Sequence, residues 1–171
     1  MKPLAIINTA LNNLGAKFKS PQVIILLLAI GYQESAFKHR RQIKGPARGF
    51  WQFERGGGVF GVLAHKASKK LAKKWVEKFG LGISKKSNRR LISSRVHDAF
   101  ERSKNDVLAA IFARLLLWTD PRPIPTDKDE AWEYYLRNWR PGKPHPERWD
   151  ESWQFALDTI KEAEGEKDQE E

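Results

Sequence analysis

The chain contains no cysteine, and its four histidines are scattered. Without cysteine there is no disulfide framework, no thiolate metal site and no thiol nucleophile, and the redox compartment is left open. His39, His65, His97 and His145 show no paired spacing of the kind that holds a metal ion. We therefore expect a protein with no bound metal and no cofactor.

Long apolar runs are also missing. The longest extends from Val23 to Ile30, eight residues, whereas a membrane span needs roughly 20. It predicts a buried core helix and no integral membrane insertion. Asn8, Asn12 and Asn13 interrupt the apolar start of the chain, and no small-residue cleavage pattern follows, so we expect no signal peptide.

Carboxylates are scarce in the first half of the chain. Residues 1–97 hold twenty Lys and Arg but only Glu34, Glu54 and Glu77, and the whole chain of 171 residues has a net charge of +10. The partner of this half is expected to be polyanionic. Residues 161–171 carry six acids against two lysines, which predicts an acidic, flexible tail after a single domain at 1–160.

Apolar residues recur at helical spacing through most of the sequence, and no region alternates as a strand does. Gly15 is a predicted C-cap, and Ser20-Pro21 a predicted helix start. Pro121, Pro123 and Pro125 predict a non-helical linker. The pattern predicts an all-α fold with a functional loop at 38–61 and helices near 4–14, 21–34, 62–79, 91–101, 107–118, 127–137 and 149–164.

Glu34 lies at the end of the most apolar helix, where a carboxylate is not easily explained as a surface residue. Burial beside apolar groups raises a carboxyl pKa, and a carboxylic acid that stays protonated near neutral pH can donate to a glycosidic oxygen. The cationic loop that follows lowers the same pKa. The alternative is that Glu34 marks an exposed helix end and pairs with Arg40 or Arg41.

Glu34-Ser35, a glycine-rich turn and Gly49-Phe50-Trp51-Gln52 together resemble the lysozyme-like superfamily, specifically lytic transglycosylases and goose-type lysozymes. The pattern of that family is Glu-Ser followed by Gly-x-x-Gln. The resemblance implies a single lysozyme-like helical domain with a substrate groove and Glu34 as the catalytic acid/base. It also implies that Ser35 orients the glutamate or the substrate, and that Gly49 and Gln52 line the sugar-binding groove.

The family pattern has a further element, a tyrosine and an asparagine on a later helix with the tyrosine hydroxyl near the glutamate. Tyr135 is the preferred match, Tyr134 is the alternative, and Asn138 is the matching asparagine. The segment Trp139–Pro144 departs from the family pattern, which leaves the distal groove wall undefined.

Aromatic and basic residues surround the Gly49–Gln52 turn. The rings of Phe50 and Trp51 suit stacking on pyranose sugars, with ordinary core packing as the alternative. Six loop cations can meet the lactyl and peptide carboxylates of peptidoglycan or form a solvated basic face: they are Lys38, Arg40, Arg41, Lys44, Arg48 and Arg55.

A two-carboxylate glycosidase needs a second acid about 5 to 9 Å from the first. Glu54 is the only other carboxylate in the loop region, and pairing with Arg55 or Arg48 is the favoured explanation for it. The single-acid mechanism is therefore favoured, which by the resemblance yields 1,6-anhydro ends. A hydrolytic lysozyme of the same fold is the alternative.

The partner implied by the resemblance is the glycan strand of peptidoglycan, cut between N-acetylmuramic acid and N-acetylglucosamine. Small size and basic charge suggest a monomeric bacteriophage enzyme, made in the host cytoplasm and either released by a pore or carried in a virion. A basic helical nucleic-acid-binding protein is the competing class, because the pI is near 9.9. An inactive glycan-binding phage component is a third.

Overall fold

A computed structural model describes residues 1–84 and 86–168, without the side chains of residues 167 and 168. In this part of the chain the structure is all-helical and has no strand. The eight α-helices are α1 (Pro3–Leu14), α2 (Pro21–Ser35), α3 (Phe60–Ala64), α4 (Lys69–Lys78), α5 (Arg89–Ala99), α6 (Asp106–Thr119), α7 (Lys128–Trp139) and α8 (Trp149–Asp168).

The first two helices begin and end where the sequence predicts. α1 ends at Leu14, and its C-cap residue is Gly15. The φ of Gly15 is 100°, an angle that glycine adopts without steric cost. The hydroxyl of Ser20 accepts a hydrogen bond from the Val23 N–H at 3.2 Å, which caps α2, and Pro21 is its first residue.

Two helices form the centre of the molecule. α2 and α6 are apolar on all sides, and Leu27 and Ile111 are among their fully buried residues. α8 packs along α2, and α1 packs along α6. The end of α2 is thereby surrounded by packed elements, and a polar residue there is removed from much of the solvent.

The helix predicted over 62–79 is interrupted, so that prediction was wrong. The backbone leaves the helical region at His65, with φ −68° and ψ 138°. The Ser68 hydroxyl donates to the Val62 carbonyl at 2.7 Å, and the His65 Nδ1 accepts from the Ala67 N–H at 3.2 Å. These local side-chain hydrogen bonds satisfy backbone groups that a continuous helix would have used.

The loop between α2 and α3 is anchored to the body of the protein. Arg40 donates two hydrogen bonds of 2.7 Å to Asp106 at the start of α6. Arg48 bridges to Arg41 and Phe53 through its backbone, which folds the loop back on itself. A bidentate pair of this kind fixes orientation as well as distance.

None of the described helices is long and apolar enough to cross a membrane. α8 continues to Asp168, so residues 161–168 of the acidic segment are helical, and residues 169–171 lie outside the described part of the chain.

Candidate active site

Glu34 lies in the last turn of α2, directly before a sharp change in chain direction. The next residues, Ala36 and Phe37, both adopt left-handed backbone angles, with φ of 49° and 54°. Such angles cost about 1 kcal/mol or more for residues other than glycine, and they concentrate at functional sites. The turn ends the helix at Glu34-Ser35 and leaves the Glu34 carboxyl half-buried at its tip.

Tyr135 provides the direct partner of this carboxyl. Its hydroxyl donates to the Glu34 Oε1 at 2.6 Å, which joins the end of α2 to the middle of α7. Tyr135 is itself held in place, because its ring stacks on that of Trp149 at a centroid distance of 5.5 Å and an angle of 12°. Burial raises the pKa of the Tyr135 hydroxyl above its ordinary value, and the neighbouring Glu34 carboxyl raises it further. The hydroxyl therefore keeps its proton and remains a hydrogen-bond donor.

The environment raises the pKa of Glu34 from 4.5 to about 7. Burial is the main cause, because it penalises the ionised form. The Tyr135 hydrogen bond and the positive charges of Arg148 and His145 act in the opposite direction. The carboxyl is therefore poised to give up or accept a proton near neutral pH.

Ser35 acts as a structural tie in this arrangement. Its hydroxyl donates its one proton to the Phe50 carbonyl at 2.8 Å, with the Gly31 carbonyl a more distant acceptor at 3.2 Å, and it accepts from the Phe37 N–H at 3.1 Å. The side chain is buried, with 8% of its surface exposed. Ser35 therefore positions the Gly49–Gln52 turn beside Glu34, and its hydroxyl is already fully used.

The Gly49–Gln52 turn is shaped by its two ends. Gly49 has a φ of 75° and packs so closely on Phe100 that a Cβ would lie 3.2 Å from the phenylalanine Cβ. The Gln52 amide donates to the Gly49 carbonyl at 2.7 Å and to the His39 carbonyl at 3.3 Å. Gln52 is half-exposed, and its amide oxygen accepts no hydrogen bond from the described residues.

The aromatic residues of this turn do not face a ligand. Trp51 is fully buried, and its indole N–H donates to the Leu27 carbonyl at 3.0 Å. Phe50 is 6% exposed and packs against Phe37. The expectation that both rings stack on sugars is wrong for this structure, because their faces are already covered by the core.

Tyr134 and Asn138 form their hydrogen bonds to groups other than the Glu34 carboxyl. The Tyr134 hydroxyl donates to the Leu117 carbonyl at 3.1 Å, and burial raises its pKa to about 12. Asn138 donates to Asp120 at 2.9 Å. Both side chains tie α7 to the end of α6 and support the helix that presents Tyr135. Assigning the buried Tyr134 to substrate binding was wrong, whereas Asn138 is half-exposed and its assignment stays a prediction.

Glu54 is exposed. The charged groups that shift the pKa of Glu34 are Arg148 and His145, and no carboxylate is among them. The predicted pairing of Glu54 with Arg48 is absent, because Arg48 forms its ion pair with Glu101. In the part of the chain that the structure describes, no group of three His, Cys, Asp or Glu side chains is arranged to hold a metal ion.

An open cavity of about 550 Å³ lies between α7 and the start of α8. Trp132 and Trp149, the two rings that pack most closely on Tyr135, contribute to its wall. Its volume is in the range of small-ligand sites, and indole faces suit sugar rings. The rest of the lining is mostly acidic, with Asp129, Glu130, Glu133 and Asp150 against Lys128, and it does not include Glu34.

Sequence reasoning missed Gln33, His145 and Arg148. More than 100 residues separate Gln33 from the other two, and neither motif nor spacing connects them. Their only signal was local: His145–Arg148 is a charged segment directly before the predicted final helix.

Comparisons of the chain with protein-family models, with curated proteins and with solved structures found no match.

Replacing Tyr135 by Phe removes the hydrogen bond that favours the ionised form of Glu34. We expect the pKa of Glu34 to rise further above 7, measured by NMR titration of its side-chain carboxyl carbon. Tyr134→Phe is the matched control, because it removes a buried hydroxyl one residue away that bonds to Leu117. An equal shift in both variants would contradict the assignment of Tyr135 as the partner of Glu34.

The raised pKa of Glu34 also makes stability depend on pH. Folding favours the protonated form, so this contribution is complete below about 4.5 and is lost as the pH rises through about 7. We expect Glu34→Gln to melt at a higher temperature than the wild type at pH 9 and at the same temperature at pH 4. Glu54→Gln, at an exposed carboxylate, controls for net charge. A difference independent of pH would argue against a raised pKa.

Proposed function

We propose that this chain is a peptidoglycan-degrading enzyme with a lysozyme-like helical domain, and that it cleaves the β-1,4 bond between N-acetylmuramic acid and N-acetylglucosamine. One observation carries the proposal: the Glu34 carboxyl is half-buried, has a pKa of about 7 and is oriented by the Tyr135 hydroxyl at 2.6 Å. A glycosidase acid must hold its proton near neutral pH and face its substrate in a fixed direction.

The surroundings of Glu34 favour a glycan as substrate. The cavity beside the Tyr135 ring partners is open and has tryptophan in its wall, so sugar rings can pack there. Gln52 is half-exposed and belongs to the Gly49–Gln52 turn, which the Ser35 hydroxyl ties to α2 through the Phe50 carbonyl. Its amide oxygen can accept a hydrogen bond from a sugar hydroxyl. Because Glu34 does not itself line this cavity, the proposal requires a glycan that extends from the cavity to the Glu34 carboxyl.

A single-acid mechanism fits these groups. Protonated Glu34 gives its proton to the leaving glycosidic oxygen as the bond from that oxygen to the muramoyl C1 breaks. The resulting carboxylate then takes the proton from the muramoyl C6 hydroxyl, whose oxygen forms the new bond to C1. The products are a free sugar hydroxyl and a 1,6-anhydro end, and Glu34 is again protonated. None of the groups that shift the pKa of Glu34 is a carboxylate, so none of them can serve as the second acid of a hydrolase.

Within this proposal the enzyme serves bacteriophage lysis or wall penetration. Hydrolysis by the same fold differs only in that water, rather than the C6 hydroxyl, attacks C1. The two reactions leave different ends on the glycan.

We expect purified protein to release muropeptides from peptidoglycan with ends one water lighter than reducing ends, measured by mass spectrometry. Glu34→Gln should abolish turnover because no proton donor remains, while Glu54→Gln should retain it. Turnover by the wild type should fall as the pH rises above about 7, where Glu34 ionises. Exclusively reducing ends would make the enzyme a lysozyme, and loss of turnover in Glu54→Gln would indicate a two-carboxylate hydrolase.

A second candidate, a nucleic-acid-binding protein, is favoured by the charge on α4 and α5. Lysines cover most of the exposed side of α4, and the first turns of both helices carry two cations and no acid at the positive end of the helix dipole. The first-turn cations are Lys69, Lys70, Arg89 and Arg90.

A gel-shift assay with duplex DNA separates the two candidates. If nucleic acid is the partner, the wild type shifts DNA in a salt-sensitive manner, Lys70→Glu weakens the shift, and the protein does not clear cell walls. If the enzyme proposal is right, wall clearing depends on Glu34, and Lys70→Glu leaves turnover per bound enzyme intact.

A further inference from the structure

Three of the six loop cations expected to bind substrate carboxylates are engaged within the protein. Arg40 donates both of its short hydrogen bonds to Asp106, and Arg48 forms an ion pair with Glu101. Arg41 lies 3.9 Å from the same Glu101 carboxylate. A guanidinium whose donors are already used gains little from a second carboxylate.

The segment at 145–148 contains a cation in the opposite situation. Arg148 is exposed, and its guanidinium forms no ion pair, hydrogen bond or ring contact with any residue in the described part of the chain. The neighbouring carboxylates have other partners: Glu147 bonds to His145 at 2.9 Å, Glu151 accepts from the Tyr32 hydroxyl at 2.6 Å, and Asp150 pairs with Lys128.

Arg148 is held close to Glu34 by a buried clamp. Gln33, the residue before Glu34, is 5% exposed, and its amide N–H donates to the His145 carbonyl at 2.9 Å. Its amide oxygen lies 2.8 Å from the Ser152 hydroxyl, whose single proton is shared between that oxygen and the Arg148 carbonyl at 2.9 Å. Gln33 thus holds the first residue of the segment directly, and it holds the first turn of α8, which follows Arg148, through Ser152.

A second contact places the same segment from the side of α7. The Trp149 ring, directly after Arg148, stacks on Tyr135, whose hydroxyl bonds to Glu34. Arg148 is accordingly one of the two cations whose charge acts on Glu34. The other, His145, is already engaged by Glu147.

A buried glutamine in an apolar helix is costly unless it is fully hydrogen-bonded, and leucine would fill the same position with less polar surface to desolvate. As a means of packing α8 on α2, the Gln33 clamp therefore costs more free energy of desolvation than an apolar side chain would. Its distinctive result is that the backbone of an arginine with an unpaired guanidinium is held near the proposed acid.

We infer that Arg148 binds a carboxylate of the substrate beside Glu34, and that Gln33 is the positioning residue that holds it there. This inference rests on the proposed function, in which the carboxylate is the lactyl group of a muramoyl residue or the peptide attached to it. It adds a basis for specificity, because a glycan without carboxylates gains nothing from Arg148.

Ligand binding tests this without turnover. In a Glu34→Gln background, calorimetry compares a muramoyl-containing tetrasaccharide with free lactyl carboxylates and a chitin tetrasaccharide that has none. We expect Arg148→Met to weaken binding of the muramoyl ligand about tenfold, in line with the loss of a charge-assisted hydrogen bond, and to leave chitin-oligomer binding unchanged. Arg148→Lys should restore part of the loss.

Two further variants test the clamp and the location. Gln33→Leu should reproduce the selective loss, since it releases the 145–148 segment, whereas a purely structural role would weaken both ligands or neither. Lys161→Met is the control for charge: it removes an exposed cation on α8, the helix that follows Arg148, about 20 Å farther along at 1.5 Å per residue, and should have no effect.

The outcomes separate the two ideas. If both ligands bind and Arg148→Met weakens both equally or neither, the carboxylate assignment is overturned while the proposed enzyme stands. If the folded Glu34→Gln protein binds neither ligand, the proposed function fails and this assignment fails with it.

Discussion

The hydrogen bond from the Tyr135 hydroxyl to Glu34 is the contact on which the arrangement of the site depends. It joins a carboxyl at the end of an apolar helix to a hydroxyl 101 residues later in the chain. The carboxyl has lost part of its hydration, and this one donor partly compensates for the loss. The balance keeps the group near its midpoint of ionisation at neutral pH, which is the property that a proton-transfer residue needs.

The segments around Glu34 are held by side chains that bond to backbone carbonyls of distant loops. Ser35 bonds to the Phe50 carbonyl, Gln33 to the His145 carbonyl, and the Trp139 indole to the Trp51 carbonyl. Loop carbonyls need partners when they are buried, and each of these bonds satisfies one while fixing the position of a loop. The loops therefore form the walls of the site without strands or disulfides.

Charge is distributed in two different ways over the molecule. Near the site, arginines such as Arg40 and Arg48 are used to anchor the loop, and Arg148 stays unpaired. On α4 the lysines face solvent and form no ion pair with the described residues, and the Lys78 ammonium lies 4.6 Å from the centroid of the Trp75 ring. The first arrangement fits recognition of a defined anionic group, and the second fits attraction to an extended polyanion.

The sequence by itself determined the all-helical fold, the starts and ends of α1 and α2, and the placement of Glu34 at the end of the most apolar helix, because caps and periodicity act over a few residues. It could not foresee the break at His65, where a side chain replaces the backbone as hydrogen-bond partner. Nor could it show that Trp51 is core or that Arg148 lies beside Glu34. Only the tertiary structure decided these points, together with the choice of Tyr135 over Tyr134, because the burial of a ring and the proximity of two charges depend on how distant helices pack.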